Sequence, residues 1–377
     1  MKILFLSSLF PLPCDIAAKI RIFNMIRLLA TKSNSIYLVS FDKLENVNSH
    51  KIMKSEYFTN VEIFPFDYSK HPFQHQINID IKNKIREITK KIKPDLIISN
   101  MAYASFYVPF DLNIPAIADH HNCEYMLIAK QNKSDNIIEK VKGFKDWFKA
   151  MKIESGLLRN FSKIIVASET DKYYLSKYIE RDIFVVPNAI DTNLYQIDMW
   201  DPNPRQLIFT GSIEIDGNYN AIKNYKDNIL PAFKNKNINV SLCVTGKSED
   251  VSRKDIFDGK DILPLGYVSD MSSAYYKSLA LIIPISSGIS ARHKIIEAMA
   301  AGVPVISTSI GCEGLGTKHM ENILIGDVPE KMVEYIIMLQ NDKDFANKIR
   351  HKARKFVEER HSWYATGPEF LNVVATA

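Results

Sequence analysis

The sequence has few cysteines, little net charge and no long apolar run. Its four cysteines (Cys14, Cys123, Cys243 and Cys312) lie far apart without a C-x-x-C pair, which argues against a disulfide framework or a structural zinc site. A net charge of +5 over 377 residues is too small to indicate nucleic-acid binding. The longest apolar run, around Leu279 to Ile285, is far shorter than the ~20 residues of a transmembrane helix.

Three common functional loops are also missing. The chain has no G-x-x-x-x-G-K-[ST] and no G-x-G-x-x-G, which excludes the usual phosphate-loop ATPase and dehydrogenase classes. G-x-S-x-G is absent too. The N-terminal MKILFLSSLFPLP reaches polar and proline residues within ten positions and lacks a small-residue cleavage site. We interpret it as a first buried strand and expect a cytoplasmic protein.

Short, uniformly apolar runs alternate with amphipathic stretches along the whole chain. Uniformly apolar strands are typical of parallel sheets covered on both faces. Seven such runs precede a polar connection that extends to Pro204, and six follow it. The pattern predicts an α/β protein with two doubly wound, Rossmann-like domains. Ligands of such sheets bind beyond the carboxyl ends of the strands, so we expect a central cleft there.

We predict a first domain over residues 1–187, a second over 188–360 and a C-terminal helix over 361–377 that crosses back to the first domain. Charge divides unevenly between the halves. Residues 1–187 carry 27 Lys and Arg against 20 Asp and Glu, whereas residues 188–377 carry 21 against 23. The first half is therefore the one expected to meet an anionic partner.

The segment 281–315, LIIPISSGISARHKIIEAMAAGVPVISTSIGCEGL, contains the densest group of candidate binding residues. It predicts a strand, a small-residue loop, a helix from about Arg292 and a further strand. A helix N-terminus favours phosphate, and Arg292 with Lys294 could hold a diphosphate. Glu297, one turn later, could accept hydrogen bonds from ribose hydroxyls. The alternative is a solvated helix start with an ion pair between Lys294 and Glu297.

At this point the sequence resembles glycosyltransferase family four and its relatives of the GT-B fold. The segments that carry the resemblance are RHKIIEAMAAGVPVISTSIGCEGL, preceded by PISSGIS, together with VVPNAIDTNLY, LIFTGSIEIDGNYNAIKNYKDNILP, VTGK and LPLGYVSDMSSAYYKSLALIIPI. The resemblance covers nearly the whole chain and is strongest over 185–315. It implies transfer of a sugar from a nucleoside diphosphate with retention of anomeric configuration and without a metal or other cofactor, with UDP favoured over GDP.

The resemblance assigns the donor site residue by residue. The donor-binding residues would be Gly211, Ser212, Gly266, Tyr267, Val268, Gly288, Ser290, Arg292, Lys294 and Glu297. Two departures stand out. Ile289 occupies the position where the family often has the first of two glutamates, and GSIEIDGN after the first strand of the second domain lacks the usual Arg and Lys. Arg292 and Lys294 would supply both cations instead.

In the first domain, IADHHNCEYM follows a strand and resembles the D-x-H-N-x-E pattern of the family. His121 matches the family's histidine, which contacts the donor sugar, so we assign catalytic roles to His121, Arg292 and Lys294. His120 is the less favoured partner because adjacent side chains of an extended chain point apart. The remaining acceptor-side candidates are Asp119, Asn122, Ala17, Ala18 and Arg21. Ala17 and Ala18 replace a usual Gly-Gly, and Arg21 is equally well explained as a surface residue of an amphipathic helix.

A basic stretch, residues 130–163, combines nine basic residues with aromatic and apolar residues at helical spacing. A basic amphipathic helix with aromatic residues can lie on an anionic membrane surface. The alternative is a helix packed on its own sheet with a solvated lysine face. The membrane interpretation would suit a lipid-linked acceptor.

Together these features predict a glycosyltransferase that acts on a glycan or lipid-linked acceptor in cell-surface polysaccharide or glycoconjugate synthesis. It would be cytoplasmic, either free or peripheral on the inner face of the membrane, and would bind no nucleic acid. Two alternatives remain open at the level of sequence. One is a nucleotide-sugar binding or sensor protein without turnover, which is favoured by Ile289 in place of the first motif glutamate. The other is a GT-B epimerase or phosphorylase.

Overall fold

The computed structural model describes residues 1–14, 16–43, 46, 56–58, 60–67, 73, 76–131, 137–248, 250–286 and 292–377. The chain forms two compact units. The first comprises Met1–Asn188 together with Thr366–Ala377, and the second comprises Ala189–Ala365. Each unit contains one parallel sheet, and each has its own cluster of buried apolar side chains.

The first unit contains seven parallel strands in the order β3-β2-β1-β4-β5-β6-β7. These strands are β1 (Lys2–Ser7), β2 (Ser35–Asp42), β3 (Asn60–Pro65), β4 (Leu96–Asn100), β5 (Ala116–Asp119), β6 (Lys163–Val166) and β7 (Asp182–Val185). The helices that begin in this unit are α1 (Ala17–Ala30), α2 (Ile79–Ile92), α3 (Met101–Ser105), α4 (Glu124–Gln131), α5 (Ile137–Leu158) and α6 (Glu169–Ser176). The strand order reverses between β1 and β4, which is where ligands bind in doubly wound sheets.

The inner apolar strands of this sheet are buried as the sequence indicated, whereas the edge strands β3 and β7 are partly exposed. Every residue of β4 and β6 is buried, and β1 is buried from its second residue onward. Polar residues set the helix ends: the Asn78 side chain accepts hydrogen bonds from the backbone of Asp80 and Ile81 at the start of α2. Lys93, in the left-handed region, ends that helix before Pro94.

The second unit contains six parallel strands in the order β10-β9-β8-β11-β12-β13. These strands are β8 (Asn203–Thr210), β9 (Ser241–Thr245), β10 (Ile262–Gly266), β11 (Ser278–Ile283), β12 (Val305–Ser307) and β13 (Leu324–Ile325). The helices are α7 (Asp216–Asn224), α8 (Leu230–Asn235), α9 (Met271–Tyr276), α10 (Arg292–Ala300), α11 (Pro329–Asn341), α12 (Lys343–Arg360) and α13 (Trp363–Ala375), of which α13 continues into the first unit. The order reverses between β8 and β11, and β11 leads towards α10.

The structure corrects two details of the sequence interpretation. The polar connection was expected to extend to Pro204, yet β8 already begins at Asn203 because Asn203 pairs with Ser278 of β11. Pro204 is tolerated there because the first three residues of β8 are exposed. The basic stretch expected over 130–163 contains the last residues of α4, all of α5 and the start of β6. No helix within the described ranges is long and apolar enough to cross a membrane.

Candidate active site

A polar cluster lies at the carboxyl ends of β4 and β5 in the first unit. Asn100 and Asp119 end these strands and are register partners in the parallel ladder. The Asn100 amide donates to Asp119 Oδ2 at 2.6 Å, and His121 Nε2 lies 3.1 Å from the same oxygen. Adjacent parallel strands thus bring together residues that are 19 positions apart in the sequence.

Two residues of this cluster have positive backbone φ angles. Met101 directly follows β4 with φ of 65°, and His121 follows β5 with φ of 48°. Side chains other than glycine rarely adopt this conformation, and strain of this kind is concentrated at functional sites. The local backbone therefore marks the ends of β4 and β5 independently of any sequence motif.

Arg21 was expected to be either a ligand contact or a surface residue, and the structure places it in neither environment. It is 1% exposed, and its guanidinium donates to both oxygens of Asp119, with Nη2 to Oδ1 at 2.7 Å. Its Nη1 donates to the carbonyl oxygen of Val186 at 2.9 Å. Helix α1 turns Arg21 inward because β5 offers a buried carboxylate that needs a cation. Arg21 thus acts on Asp119 and is enclosed away from ligands.

Asp119, also an acceptor-side candidate, is completely buried. Burial alone would raise the pKa of its carboxyl group, but the charge of Arg21 and the hydrogen bonds from His121 and Arg21 hold that pKa well below its usual range. Asp119 is therefore an anion at all physiological pH values. In this structure it orients Arg21 and His121 and does not contact the surface.

The Asp119 carboxylate defines what His121 can do. His121 Nε2 lies within hydrogen-bond distance of both Asp119 Oδ2 and Asn100 Nδ2, so Nδ1 is the ring nitrogen available to a ligand. His121 is 8% exposed. His120 faces another environment, where its Nε2 lies 2.7 Å from Glu154 Oε1.

The other first-unit candidates lie near the protein surface. Ala17 and Ala18 form the first turn of α1 and are partly exposed. Asn122 is partly exposed and its backbone N–H donates to the His120 carbonyl oxygen.

In the second unit, Gly211 directly follows β8 with φ of 125°. A Cβ atom at this position would lie 2.6 Å from Lys294 Nζ and 2.7 Å from Asn218 Nδ2. Glycine is therefore required both by its backbone and by the close approach of two polar side chains. Asn218 of α7 accepts a hydrogen bond from Lys294 through Oδ1 and donates to the Ser212 carbonyl oxygen at 2.8 Å.

Lys294 lies in the first turn of α10, and its ammonium group lies 4.3 Å from the centre of the Phe209 ring. Burial lowers the pKa of Lys294 to about 7, against an opposing effect of the Glu297 charge. No carboxylate lies within 4 Å of Lys294 Nζ among the residues that the structure describes. Its partners are an amide and an aromatic ring, so its charge is not neutralised.

Glu297 is held by two tyrosine hydroxyls. Tyr195 donates to Oε1 at 2.9 Å and Tyr275 donates to Oε2 at 2.9 Å. Burial, followed by the charge of Glu297, raises the pKa of both tyrosines well above the usual value, so both remain donors. A carboxylate has about four lone-pair sites, so each oxygen of Glu297 keeps one for a further donor. The ion pair between Lys294 and Glu297, which was the alternative interpretation of this helix start, does not form at salt-bridge distance in the described structure.

The remaining donor candidates divide into two groups. Ser212 follows β8, and the Gly266–Val268 segment begins at the last residue of β10, so both lie at the same edge of the sheet as Gly211. Tyr267 is 76% exposed, and the Gly266 carbonyl oxygen accepts from the Gly246 backbone. Gly288, Ser290 and Ile289 lie outside the described residues, as does the side chain of Arg292.

Four polar residues of these clusters were not singled out in the sequence: Asn100, Tyr195, Asn218 and Tyr275. Tyr195 ends the segment VVPNAIDTNLY, and Asn218 ends the loop GSIEIDGN. Both segments were recognised, yet their polar residues could not be paired with Glu297 or Lys294 without the fold. In the part of the chain that is described, no group of three His, Cys, Asp or Glu side chains could hold a metal ion.

Comparisons with known proteins agree with this architecture. A solved structure of sucrose-phosphate synthase from Thermosynechococcus elongatus superposes with a TM-score of 0.77 at 15% identity, over 100% of both chains. HepE of Anabaena, crystallised with UDP-glucose, superposes with a TM-score of 0.71 at 15% identity, again over 100% of both chains. These likenesses show the fold, which is that of the GT-B glycosyltransferases. The predicted fold class is confirmed.

Two family models match adjacent parts of the chain. The model of Glycosyltransferase Family 4 matches residues 20–194, and that of Glycosyl transferases group 1 matches residues 204–342. The chain belongs to this family of glycosyltransferases, as the sequence motifs indicated. A relative in Klebsiella pneumoniae, described as an uncharacterized 44.6 kDa protein in the cps region, is 21% identical over 379 residues and 96% of each chain.

Proposed function

We propose that this glycosyltransferase transfers a sugar from a UDP-sugar to a glycan or lipid-linked acceptor, with retention of configuration and without a metal. The product would be a cell-surface polysaccharide or glycoconjugate. One observation carries the proposal: an un-neutralised Lys294 ammonium beside Gly211, with the Glu297 carboxylate one helical turn away. A cation and an anion at this spacing suit the diphosphate and the ribose of one nucleotide.

The comparisons support the finer assignments. HepE, which shares the fold, was crystallised with UDP-glucose, and this favours a uridine nucleotide. The Klebsiella relative belongs to a cps region, which favours polysaccharide synthesis. The sequence resemblance to the family is the basis for proposing retention of configuration, independence of a metal, and binding of the diphosphate by Arg292 together with Lys294.

In the proposed reaction, the bond between the anomeric carbon and the β-phosphate oxygen breaks, and its electron pair leaves with the diphosphate. Arg292 and Lys294 stabilise the negative charge that develops there, a task for which other enzymes use a divalent ion. The acceptor oxygen attacks the same face of the sugar, and its proton passes to the leaving phosphate. His121 binds a sugar hydroxyl as a neutral imidazole and so adds no positive charge beside the cationic transition state.

The donor is tested by a thermal-shift panel of UDP-, GDP- and other nucleotide sugars. A ligand at ~100 times its Kd should add roughly 2.7 kcal/mol to the free energy of unfolding. We expect UDP-sugars to give the largest shift and Arg292→Ala to remove most of it. Equal shifts from all nucleotides, or near-normal UDP affinity of the variant, would contradict the assignment.

Turnover separates a transferase from a sensor. The enzyme is incubated with the best donor and a mixture of glycan and lipid-linked acceptors, with and without EDTA, and the product's anomeric configuration is determined by NMR. We expect transfer with retention that EDTA does not slow. Donor binding without sugar release under every acceptor would favour a sensor protein instead.

A second part of the proposal is contact between α5 and an anionic membrane surface. Val141, Phe144 and Phe148 are 52, 64 and 42% exposed, although apolar side chains of this size are usually buried. Five exposed lysines surround them, at positions 140, 142, 145, 149 and 152. Aromatic side chains that enter the interface beside lysines that meet anionic headgroups are the usual basis of such binding.

Vesicle sedimentation tests this contact. We expect binding to vesicles containing phosphatidylglycerol and none to pure phosphatidylcholine, and we expect loss of binding for the double variant Lys145→Gln/Lys149→Gln. A matched control, Lys348→Gln/Lys352→Gln on α12, removes the same charge from exposed positions in the second unit. Equal binding to both vesicle types, or equal loss of binding in both double variants, would contradict the proposed contact between α5 and an anionic membrane.

A further inference from the structure

The Glu154 carboxylate is completely buried and accepts hydrogen bonds through both of its oxygens. It lies near the end of α5, and its Oε1 accepts from His120 Nε2 at 2.7 Å and from the Glu124 backbone N–H at 2.8 Å. Its Oε2 accepts from the Tyr125 backbone N–H at 2.8 Å. One side chain thus holds both a histidine ring and the first two N–H groups of α4.

These three contacts surround the residue that the proposed function places at the sugar. His120 precedes His121, and α4 begins three residues after it. The His121 backbone is in the left-handed region, a conformation that persists only where neighbouring structure enforces it. Further hydrogen bonds fix the same loop, including the Ala167 N–H to the His121 carbonyl oxygen at 3.0 Å.

A contribution to stability alone does not account for this arrangement. A buried ion pair is frequently no more stabilising than apolar residues of the same volume, because both charges lose their hydration. Burial acts to lower the pKa of His120, but the hydrogen bond and charge of Glu154 raise it above its usual value. His120 Nδ1 has no hydrogen-bond partner within the described residues, so Glu154 alone orients the ring.

We propose that Glu154 is the positioning residue of the loop at residues 120–123, which connects β5 to α4 and contains His121. Through His120 and the N-terminus of α4, Glu154 maintains the backbone conformation that presents His121 to the donor sugar. The inference rests on the proposed function for the role of His121. It does not require Glu154 to touch a ligand. Glu154 is on α5 and belongs to the first unit, whereas Lys294 and Glu297 belong to the second, so UDP binding provides an independent measurement.

The test compares Glu154→Gln with Ser155→Ala, a control at the next residue whose hydroxyl bonds only within α5, to the Lys152 carbonyl oxygen. Glutamine keeps the size of the side chain but removes its charge and one acceptor oxygen. We expect kcat of Glu154→Gln to fall roughly 10- to 100-fold, the cost of a small misplacement of a reacting group, with an unchanged Kd for UDP. Ser155→Ala should retain full kcat.

Substitutions of His120 provide a second test, which remains available if the Glu154→Gln variant does not fold. His120→Gln keeps a donor where Nε2 lies, and His120→Leu removes it. We expect His120→Leu to lose kcat as Glu154→Gln does and His120→Gln to stay within about threefold of the original enzyme. Full kcat in His120→Leu and Glu154→Gln, or an equal loss in both His120 variants, would overturn the proposal.

A spectroscopic readout separates this proposal from the proposed function. The ring carbon and nitrogen signals of His121 should shift in Glu154→Gln and not in Ser155→Ala. If the original enzyme transfers no sugar from any donor, the proposed function fails, while the His121 signals still report whether Glu154 positions the loop. Unchanged His121 signals in Glu154→Gln would overturn the positioning role itself.

Discussion

At the scale of single residues, Arg21 and Lys294 show two opposite uses of a positive charge. Arg21 is buried against Asp119 in a two-point ion pair, so its charge is neutralised. Lys294 is surrounded by the Asn218 amide and the Phe209 ring, which leave its charge available. One basic residue thus orients a carboxylate in the first unit, whereas the other, in the second unit, has the charge that the proposed function assigns to diphosphate binding.

The Lys294 environment predicts a pH dependence of nucleotide binding. Because burial lowers its pKa to about 7, most of the population is neutral above that pH, and a diphosphate binds only the protonated form well. We expect UDP affinity to fall by up to tenfold per pH unit between pH 7 and 9, with proton uptake on binding. Calorimetry in buffers of different ionisation enthalpy measures both.

Lys294→Arg is the control for this prediction, because arginine stays protonated over the whole range. Its UDP affinity should be independent of pH between 7 and 9, whatever its absolute value. The same slope in both proteins would assign the pH dependence to another group.

We predict opposite changes in stability when two buried tyrosines are replaced by phenylalanine. The Tyr275 hydroxyl donates to the Glu297 carboxylate, whereas the Tyr225 hydroxyl is buried without a hydrogen-bond partner among the described residues. We expect Tyr275→Phe to lower the free energy of unfolding by about 1.5–3 kcal/mol and to weaken UDP binding. Tyr225→Phe should be neutral or stabilising by about 1 kcal/mol because it removes an unsatisfied polar group.

Urea denaturation and UDP titration of both variants check this pair. Each substitution removes one hydroxyl from a fully buried ring in the same unit, so differences in packing are small. Equal destabilisation in both variants would show that the hydrogen bond from Tyr275 to Glu297 does not contribute to the free energy of unfolding.

At the scale of elements, short side-chain contacts fix where helices begin and end. Lys163 of β6 donates to the Val373 carbonyl oxygen at 3.3 Å and to the Thr376 hydroxyl, at the C-terminus of α13. A cation at a helix C-terminus satisfies free carbonyl groups and interacts favourably with the helix dipole. This contact joins the end of the chain to the sheet of the first unit.

Lys163→Met should therefore loosen the last turn of α13. We expect amide hydrogen exchange of residues 370–377 to rise by roughly three- to tenfold, which corresponds to about 1 kcal/mol. Exchange in α12 provides the internal control. Unchanged exchange at the C-terminus would show that apolar packing of Phe370 and Val373, both completely buried, is sufficient.

At the scale of the whole molecule, the two units have separate cores. Phe209, Leu281 and Ile306 are among the buried residues of the second core, and Leu4, Ile97 and Ile164 are among those of the first. Chains with two cores commonly depart from two-state unfolding. The candidate nucleotide residues of the described structure, Gly211, Lys294 and Glu297, all belong to the second unit.

Differential scanning calorimetry should accordingly resolve two transitions. UDP at ~100 times its Kd should stabilise one of them by roughly 2.7 kcal/mol, and hydrogen exchange should assign that transition to β8, β11 and β12. The first-unit strands β1, β4 and β5 serve as the reference. A single transition that moves as a whole would show that the units unfold together.

The sequence by itself determined the parallel α/β fold and the family, because uniformly apolar runs and local motifs consist of residues that are adjacent in the sequence. It also predicted His121, Lys294 and Glu297 as site residues, a prediction that the experiments above must test. Only the tertiary structure decided that Arg21 is buried on Asp119, that Tyr195 and Tyr275 bind Glu297, and that Glu154 holds His120. Each of these pairs joins different elements, 22 to 102 positions apart, and such partners become neighbours only when strands align and helices pack.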